Sequence, residues 1–267
     1  MVIPKFETAN VRGQSLRILR GGSGTPLLWL RGADASDSWR DYMTGLAGSF
    51  SVIAPEHPGF GNVERPEWLD HIGDMANFYF DLINSLGLER VHLAGHGLGG
   101  WIAAEMAIRD TRKLISLTLA AAPGLLIRGA MGEDSFLRSE EETITDQFHD
   151  KKLAALELEH RLTPETEDAR IANQMVIAQL AWAPRWHDPH LRKWLHRIDV
   201  PSLIVWGEQD KVVPIAHAHE WHKLIKGSQL AAITACGHAA PLEKSQQFVD
   251  LFSVFAKQAG HHVEDAQ

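Results

Sequence analysis

The sequence is poor in several features, and each absence narrows what the chain can be. Among 267 residues there is a single cysteine, Cys236, which excludes an intrachain disulfide and points to a reducing compartment. No run reaches the ~18 apolar residues that a membrane span needs. The N-terminal stretch MVIPKFETANVRGQSL has no charged segment followed by an apolar one, so it does not read as a signal peptide. A cytoplasmic protein is the expectation. The formal net charge is −8, which suggests no basic face for nucleic acid.

Two tempting motifs also fail. The run Gly21-Gly22-Ser23-Gly24 lacks the following Gly-Lys-[Ser/Thr] and precedes a strand, so it is no phosphate cradle. His217-Ala218-His219-Glu220-Trp221-His222-Lys223 misses the His-Glu-x-x-His zinc spacing by one residue. No metal or organic cofactor is implied.

What is there is an ordinary core-forming composition, 45% hydrophobic and 22% charged, in a chain long enough for one large domain with an insertion. Short apolar runs alternate with segments of helical period, the pattern of a parallel sheet covered by helices. Strands are expected at Ser15–Arg20, Pro26–Leu30, Ser51–Ala54, Val91–Gly95, Ile115–Ala121, Ser202–Trp206 and Gln229–Thr234, the first two joined by a hairpin-like turn. They are apolar throughout rather than alternating, as both-faces burial requires. Helices are expected at Asp70–Leu86, Leu98–Asp110 and Leu242–Gln258. From Gly124 to Ser202 no strand is visible, but helix-period segments occur around Lys151–His160 and Thr166–Leu180. So long an interruption is usually functional. It reads as a helical cap, residues 127–199, inserted in a core of residues 1–126 and 200–267; extra helices packed at the sheet edge are the plainer alternative.

The fourth parallel-type strand runs through Val91-His92-Leu93-Ala94-Gly95-His96-Gly97-Leu98-Gly99-Gly100-Trp101 directly into a helix. That is the strand–turn–helix setting of a Gly-x-Ser-x-Gly nucleophile elbow. Four further loops occur in the same order as in that fold. Arg31-Gly32-Ala33 comes after the third strand, and Glu56-His57-Pro58-Gly59-Phe60-Gly61 after the next. Gly207-Glu208-Gln209-Asp210 and Cys236-Gly237-His238-Ala239 follow two late strands. On these motifs the chain resembles the α/β-hydrolase fold family of serine-hydrolase type with a helical cap.

The resemblance implies that Asp210 orients His238, that His238 serves as general base, and that the N–H groups of Leu98 and Ala33 bind an oxyanion. It also exposes the main departure, because Gly97 occupies the nucleophile position where serine is expected. Loss of that nucleophile alone costs on the order of 10⁶ in turnover in a serine protease. Glycine also removes the roughly 1–3 kcal/mol of strain that a Cβ carries at such a corner. A second departure is Arg31 in place of a histidine, with either a pull on anions or a surface or ion-paired role.

Four accounts of Gly97 stay open at this point. They are an introduced knockout, a natural enzyme using His238 without a covalent nucleophile (a lyase or cofactor-free oxygenase included), a ligand-binding protein, and a decayed enzyme. Intact Asp210 and His238 motifs weigh against decay. The implied ligand is a small carbonyl compound, an ester or a compound cleaved at a C–C bond. Trp101, Met175, Trp182 and Trp186 are the substrate-binding candidates at the cap–core boundary, Leu180 beside them. His96 is expected to support structure, and Cys236 is not expected to act as a nucleophile.

Overall fold

The computed structural model describes residues 3–33, 38–61 and 63–264, with side chains described through residue 260. The elements in chain order are β1 (Lys5–Val11), β2 (Gln14–Gly21), β3 (Thr25–Leu30), α1 (Asp41–Leu46), β4 (Phe50–Pro55), α2 (Ile72–Ser85), β5 (Val91–His96), α3 (Leu98–Arg109) and β6 (Leu114–Ala120). The insertion then contributes α4 (Glu140–Thr145), α5 (Lys151–Arg161), α6 (Glu167–Ala181) and α7 (Leu191–Trp194). The chain returns with β7 (Ser202–Gly207), α8 (Ala216–Leu224), β8 (Gln229–Ile233), α9 (Ala240–Glu243) and α10 (Ser245–Glu264).

The eight strands form one sheet in the order β1-β2-β4-β3-β5-β6-β7-β8. β3 to β8 run parallel, while β2 pairs antiparallel with β4 and β1 antiparallel with β2. The fully buried strands β5 and β7 are the apolar runs of the sequence, because helices cover both their faces. On one face, α2, α3 and α8 pack Phe78, Leu82, Ile102, Met106 and Trp221 onto the sheet. On the other, α1 and α10 bring Tyr42, Leu46, Phe248 and Phe252 against Trp29 and Val52. Trp29, Tyr42 and Phe248 meet at centroid distances of 5.1–6.3 Å, close enough for edge-to-face attraction on top of burial.

The expected hairpin between the second and third strands is corrected. β2 and β3 do not pair; β4 lies between them, with Val52 registered against Gly21 on one side and Leu27 on the other. The connecting turn passes across the start of β4, where Gly22 (φ +83°) and Gly24 (φ +103°) leave no room for a Cβ beside the Phe50 and Ser49 carbonyls. The hairpin that does form joins β1 to β2 through Arg12 and Gly13, both at positive φ. β1 carries no apolar run to mark it in the sequence, because it is a largely exposed edge strand.

The insertion between β6 and β7 is helical. α4 begins at a capping box in which Ser139 Oγ accepts from Glu142 N–H and the Glu142 carboxylate accepts from Ser139 N–H. α5 is capped by Asp150, which accepts from the Lys152 and Leu153 N–H groups. Nearer β7, Leu191, Leu195 and Ile198 are buried in the same cluster as α3. Among the described residues no helix is long and apolar enough to cross a membrane.

One buried group gives this core a pH dependence. His92 on β5 lies between Phe50 and Phe252 and within 2.8 Å of Ser116 Oγ. Burial depresses its pKa to about 4. The unfolded chain takes up that proton near pH 6.5, so stability is full above that pH. It falls by roughly 3 kcal/mol as the pH drops toward 4, and levels off below. Urea midpoints recorded from pH 7 to 4 should therefore fall less steeply in a His92→Phe/Ser116→Ala variant; parallel profiles would assign the acid loss elsewhere.

Candidate active site

The site is built at the carboxyl ends of β3, β5, β7 and β8, where loops of a parallel sheet converge. β5 turns into α3 at Gly97, whose backbone holds φ 52° and ψ −121°. Residues with a Cβ are strained there, and glycine is not. The corner is as tight as the sequence suggested. A Cβ on Gly95 would collide with the Gly99 carbonyl, and one on Gly99 with the carbonyls of Leu30 and Arg31. The Gly97 side of the corner is roomier. A Cβ there would meet His238 Nε2 at 3.3 Å and Gly32 Cα at 3.8 Å, with nothing nearer among the described residues.

His238 and Asp210 are brought together. His238 Nδ1 lies 2.9 Å from Asp210 Oδ2, and both residues are buried. The other carboxylate oxygen, Oδ1, accepts from the N–H groups of Val212 (2.9 Å) and Val213 (2.8 Å). Those two bonds fix the carboxylate plane, and the carboxylate in turn fixes the imidazole. A proton on Nδ1 leaves Nε2 as the bare nitrogen facing the Gly97 corner. His96 has the supporting place expected of it: its Nε2–H donates to the His238 carbonyl at 3.0 Å, with ring centroids 4.9 Å apart.

Ala33 and Leu98 both border the cavity above this dyad. Leu98 opens α3, so its N–H has no partner within the helix. The loop that carries Ala33 is held from below. The Arg31 carbonyl accepts from His57 Nε2–H at 2.9 Å, and His57 Nδ1 accepts from the Tyr79 hydroxyl. Burial raises the Tyr79 pKa above its ordinary value, which keeps the phenol protonated as that donor. Arg31 itself is not a surface residue. It is buried, its Nη2 donates to the Ala54 carbonyl at 3.3 Å, and with Gly32 and His96 it borders a small crevice beside the main cavity.

The cavity has a volume of about 670 Å³ and lies between the sheet and the helical insertion, a size suited to a small organic ligand. Trp186 lines it, but Trp101, Met175 and Trp182 do not. Trp101 is buried beneath Gly124, where the chain leaves β6. Met175 is 69% exposed on the outer face of α6, and Trp182 is half exposed, packed against Phe136 and Arg185. Leu180 is buried in the core cluster. Helical phase, invisible without the tertiary contacts, turns Trp101 on α3 and Met175 on α6 away from the cavity.

Two residues at the site gave no clear signal in the sequence. His217 on α8 lines the cavity, and its Nε2–H donates to the Ala130 carbonyl at 3.0 Å. Burial lowers its pKa, so it stays neutral. Glu243, five residues after His238, accepts from Gly237 N–H (2.6 Å), Asp150 N–H (2.6 Å) and His149 N–H (3.2 Å). With Ala239 N–H donating to the Gln147 carbonyl at 2.9 Å, this clamps the His238 loop to the turn between α4 and α5. Cys236 is sealed in the core and burial pushes its thiol pKa up to about 12, so no thiolate forms near neutrality. Among the described residues no group of three or more His, Cys, Asp or Glu is arranged to hold a metal ion.

Residues 21–245 match the model of the alpha/beta hydrolase fold, and the chain belongs to that family. It is 29% identical over 254 residues to a 2-hydroxy-6-oxo-2,4-heptadienoate hydrolase of Pseudomonas putida, covering 88% of this chain and 90% of that one. It is 26% identical over 265 residues to a 2-hydroxymuconate semialdehyde hydrolase of a Pseudomonas species, covering 89% of each. The fold is shared with the structure of a 2-hydroxy-6-oxo-6-phenylhexa-2,4-dienoate hydrolase from Rhodococcus. The TM-score is 0.79 at 21% identity, over 96% of this chain and 100% of that one.

The Glu243 clamp is open to direct test. Glu243→Ala removes the acceptor of three N–H groups, of which that of Gly237 is the most buried, and should lower stability by about 1–2 kcal/mol. Amide exchange should accelerate at Gly237, His149 and Asp150 together. Acceleration at His149 and Asp150 alone would contradict a clamp on the His238 loop.

Proposed function

We propose that this chain carries a hydrolase-type site for a small carbonyl compound, an ester or a compound cleaved at a C–C bond, with covalent catalysis disabled at Gly97. The observation that carries this reading is the intact pair behind the empty corner: Asp210 2.9 Å from His238 Nδ1, and His238 Nε2 facing position 97. The named relatives, hydrolases of hydroxy-oxo-dienoates and of a muconate semialdehyde, support the same class of chemistry. A nucleophile elbow with serine would add a hydroxyl at that corner; in the scheme proposed here the attacking group is a water molecule instead.

In this scheme His238 Nε2 removes a proton from water as the water oxygen bonds to the substrate carbonyl carbon. The carbonyl oxygen becomes an oxyanion and accepts from the N–H groups of Leu98 and Ala33. Asp210 stabilises the imidazolium that forms. Collapse of the tetrahedral adduct breaks the bond to the leaving group, which takes its proton back from His238. One water is consumed and no electrons are exchanged. Without a covalent intermediate the rate is low, on the order of the 10³–10⁴ over water that positioning and oxyanion binding alone supply.

The test is hydrolysis of short-chain 4-nitrophenyl esters by this chain and by Gly97→Ser. Serine at 97 costs roughly 1–3 kcal/mol of stability through strain but should raise turnover by about three orders of magnitude or more. His238→Ala should abolish both that gain and the slow activity of the unaltered chain. A well-folded Gly97→Ser protein with no gain would sink the hydrolase reading.

A further inference from the structure

The cavity charges carry information beyond the reaction class. Five arginines line the cavity, and each already faces a carboxylate. Arg17 pairs with Glu56 at 3.3 Å, Arg161 Nε with Glu157 at 3.0 Å (a carboxylate whose other oxygen pairs with Arg40), and Arg170 Nε with Glu140 at 2.8 Å. Arg138 pairs with Glu133 and reaches Glu142 at 3.3 Å and Asp146 at 3.6 Å. Arg185 pairs with Asp134 and is held between the rings of Trp182 and Phe136, 4.1 and 4.9 Å from their centroids.

The opposite sign is in excess. Glu56, Glu133, Asp134, Glu140, Asp146 and Glu165 all border the same space, and among the described residues no lysine does. Asp134 is also anchored, because its other oxygen accepts from Phe136 N–H at 3.1 Å. A carboxylate entering this cavity would lose its hydration and would have to displace a carboxylate already in place. An uncharged ligand meets neither cost, and finds apolar walls at Phe60, Leu125, Ile177 and Val213.

We propose that the site selects neutral carbonyl compounds against carboxylates of the same shape, the arginines being neutralised in advance by carboxylates of the protein. This rests on the reading that the cavity above His238 is the substrate site. The cavity is thereby walled by charges, and each arginine that borders it among the described residues already faces a carboxylate of the protein. Specificity of this kind comes from rejecting the wrong charge rather than from an extra contact to the right ligand.

Two arms test it. In the first, calorimetry on the unaltered chain compares N-phenylbutanamide, which is neutral, with N-phenylsuccinamic acid, which adds a carboxylate. The neutral amide should bind about tenfold or more tightly than the acid. Asp134→Asn, which uncovers Arg185, and independently Glu140→Gln, which uncovers Arg170, should each strengthen the acid while leaving the neutral amide within about twofold. Acid binding that equals or exceeds that of the neutral amide overturns the proposal, as does failure of the neutral amide to bind.

In the second arm, Gly97→Ser is assayed with 4-nitrophenyl butyrate and mono-4-nitrophenyl succinate. The butyrate should be preferred in kcat/KM. Preference for the succinate overturns the charge inference and leaves the hydrolase reading standing. A variant silent toward both esters, with the neutral amide still bound tenfold more tightly, sinks the hydrolase reading and supports the charge inference.

Discussion

Everything at the candidate site depends on how closely the start of α3 can approach the strands beneath it. Gly95 and Gly99 meet backbone to backbone, and Gly99 lies under the carbonyls of Leu30 and Arg31. Any Cβ at these positions would wedge helix from sheet. Because the contact closes, position 97 projects beyond the strand ends with a φ of 52°, within reach of His238. The loop bearing Gly32 and Ala33 is drawn to the same point by the pairing of β3 with β5. The arrangement is set by main-chain packing, so it survives without a side chain at residue 97.

The second layer of order is electrostatic and lies above the first. Asp210 is aimed by two main-chain donors, His238 by Asp210 and by its own loop, and that loop by Glu243 and Gln147. The insertion therefore contributes to the dyad as well as roofing the cavity. Ion pairs such as Arg185–Asp134 and Arg170–Glu140 hold the insertion together and set the charge a ligand meets. The positions of these groups are fixed by contacts within the protein itself.

Much of this was readable from residue order alone. The apolar runs Val91–Gly95 and Ser202–Trp206 fall in the fully buried strands Val91–His96 and Ser202–Gly207, because a strand covered on both faces has no polar alternation to confuse it. Asp210 and His238 were legible because the loops that bear them follow such strands. Strand order was not, since the position of β4 between β2 and β3 is a long-range pairing with no local signature. Side-chain direction in the insertion was equally hidden: Met175 and Trp182 sit one helical phase away from the cavity that Ile177 and Ala178 line. Nothing in the order of residues marks Arg31 as a buried donor to the Ala54 carbonyl, and a carboxylate ending a short helix, as Glu243 does, has no signature apart from its three N–H partners.

The central claim is that His238 is held as a base toward position 97, and the imidazole tautomer tests it most directly. Long-range ¹H–¹⁵N spectra of the unaltered chain at neutral pH should show His238 protonated at Nδ1, with Nε2 carrying the shift of a bare nitrogen. In Asp210→Ala that preference should be lost. A proton found on Nε2 in the unaltered chain, with Nδ1 bare, would mean that the dyad is not poised for base catalysis and would contradict the account.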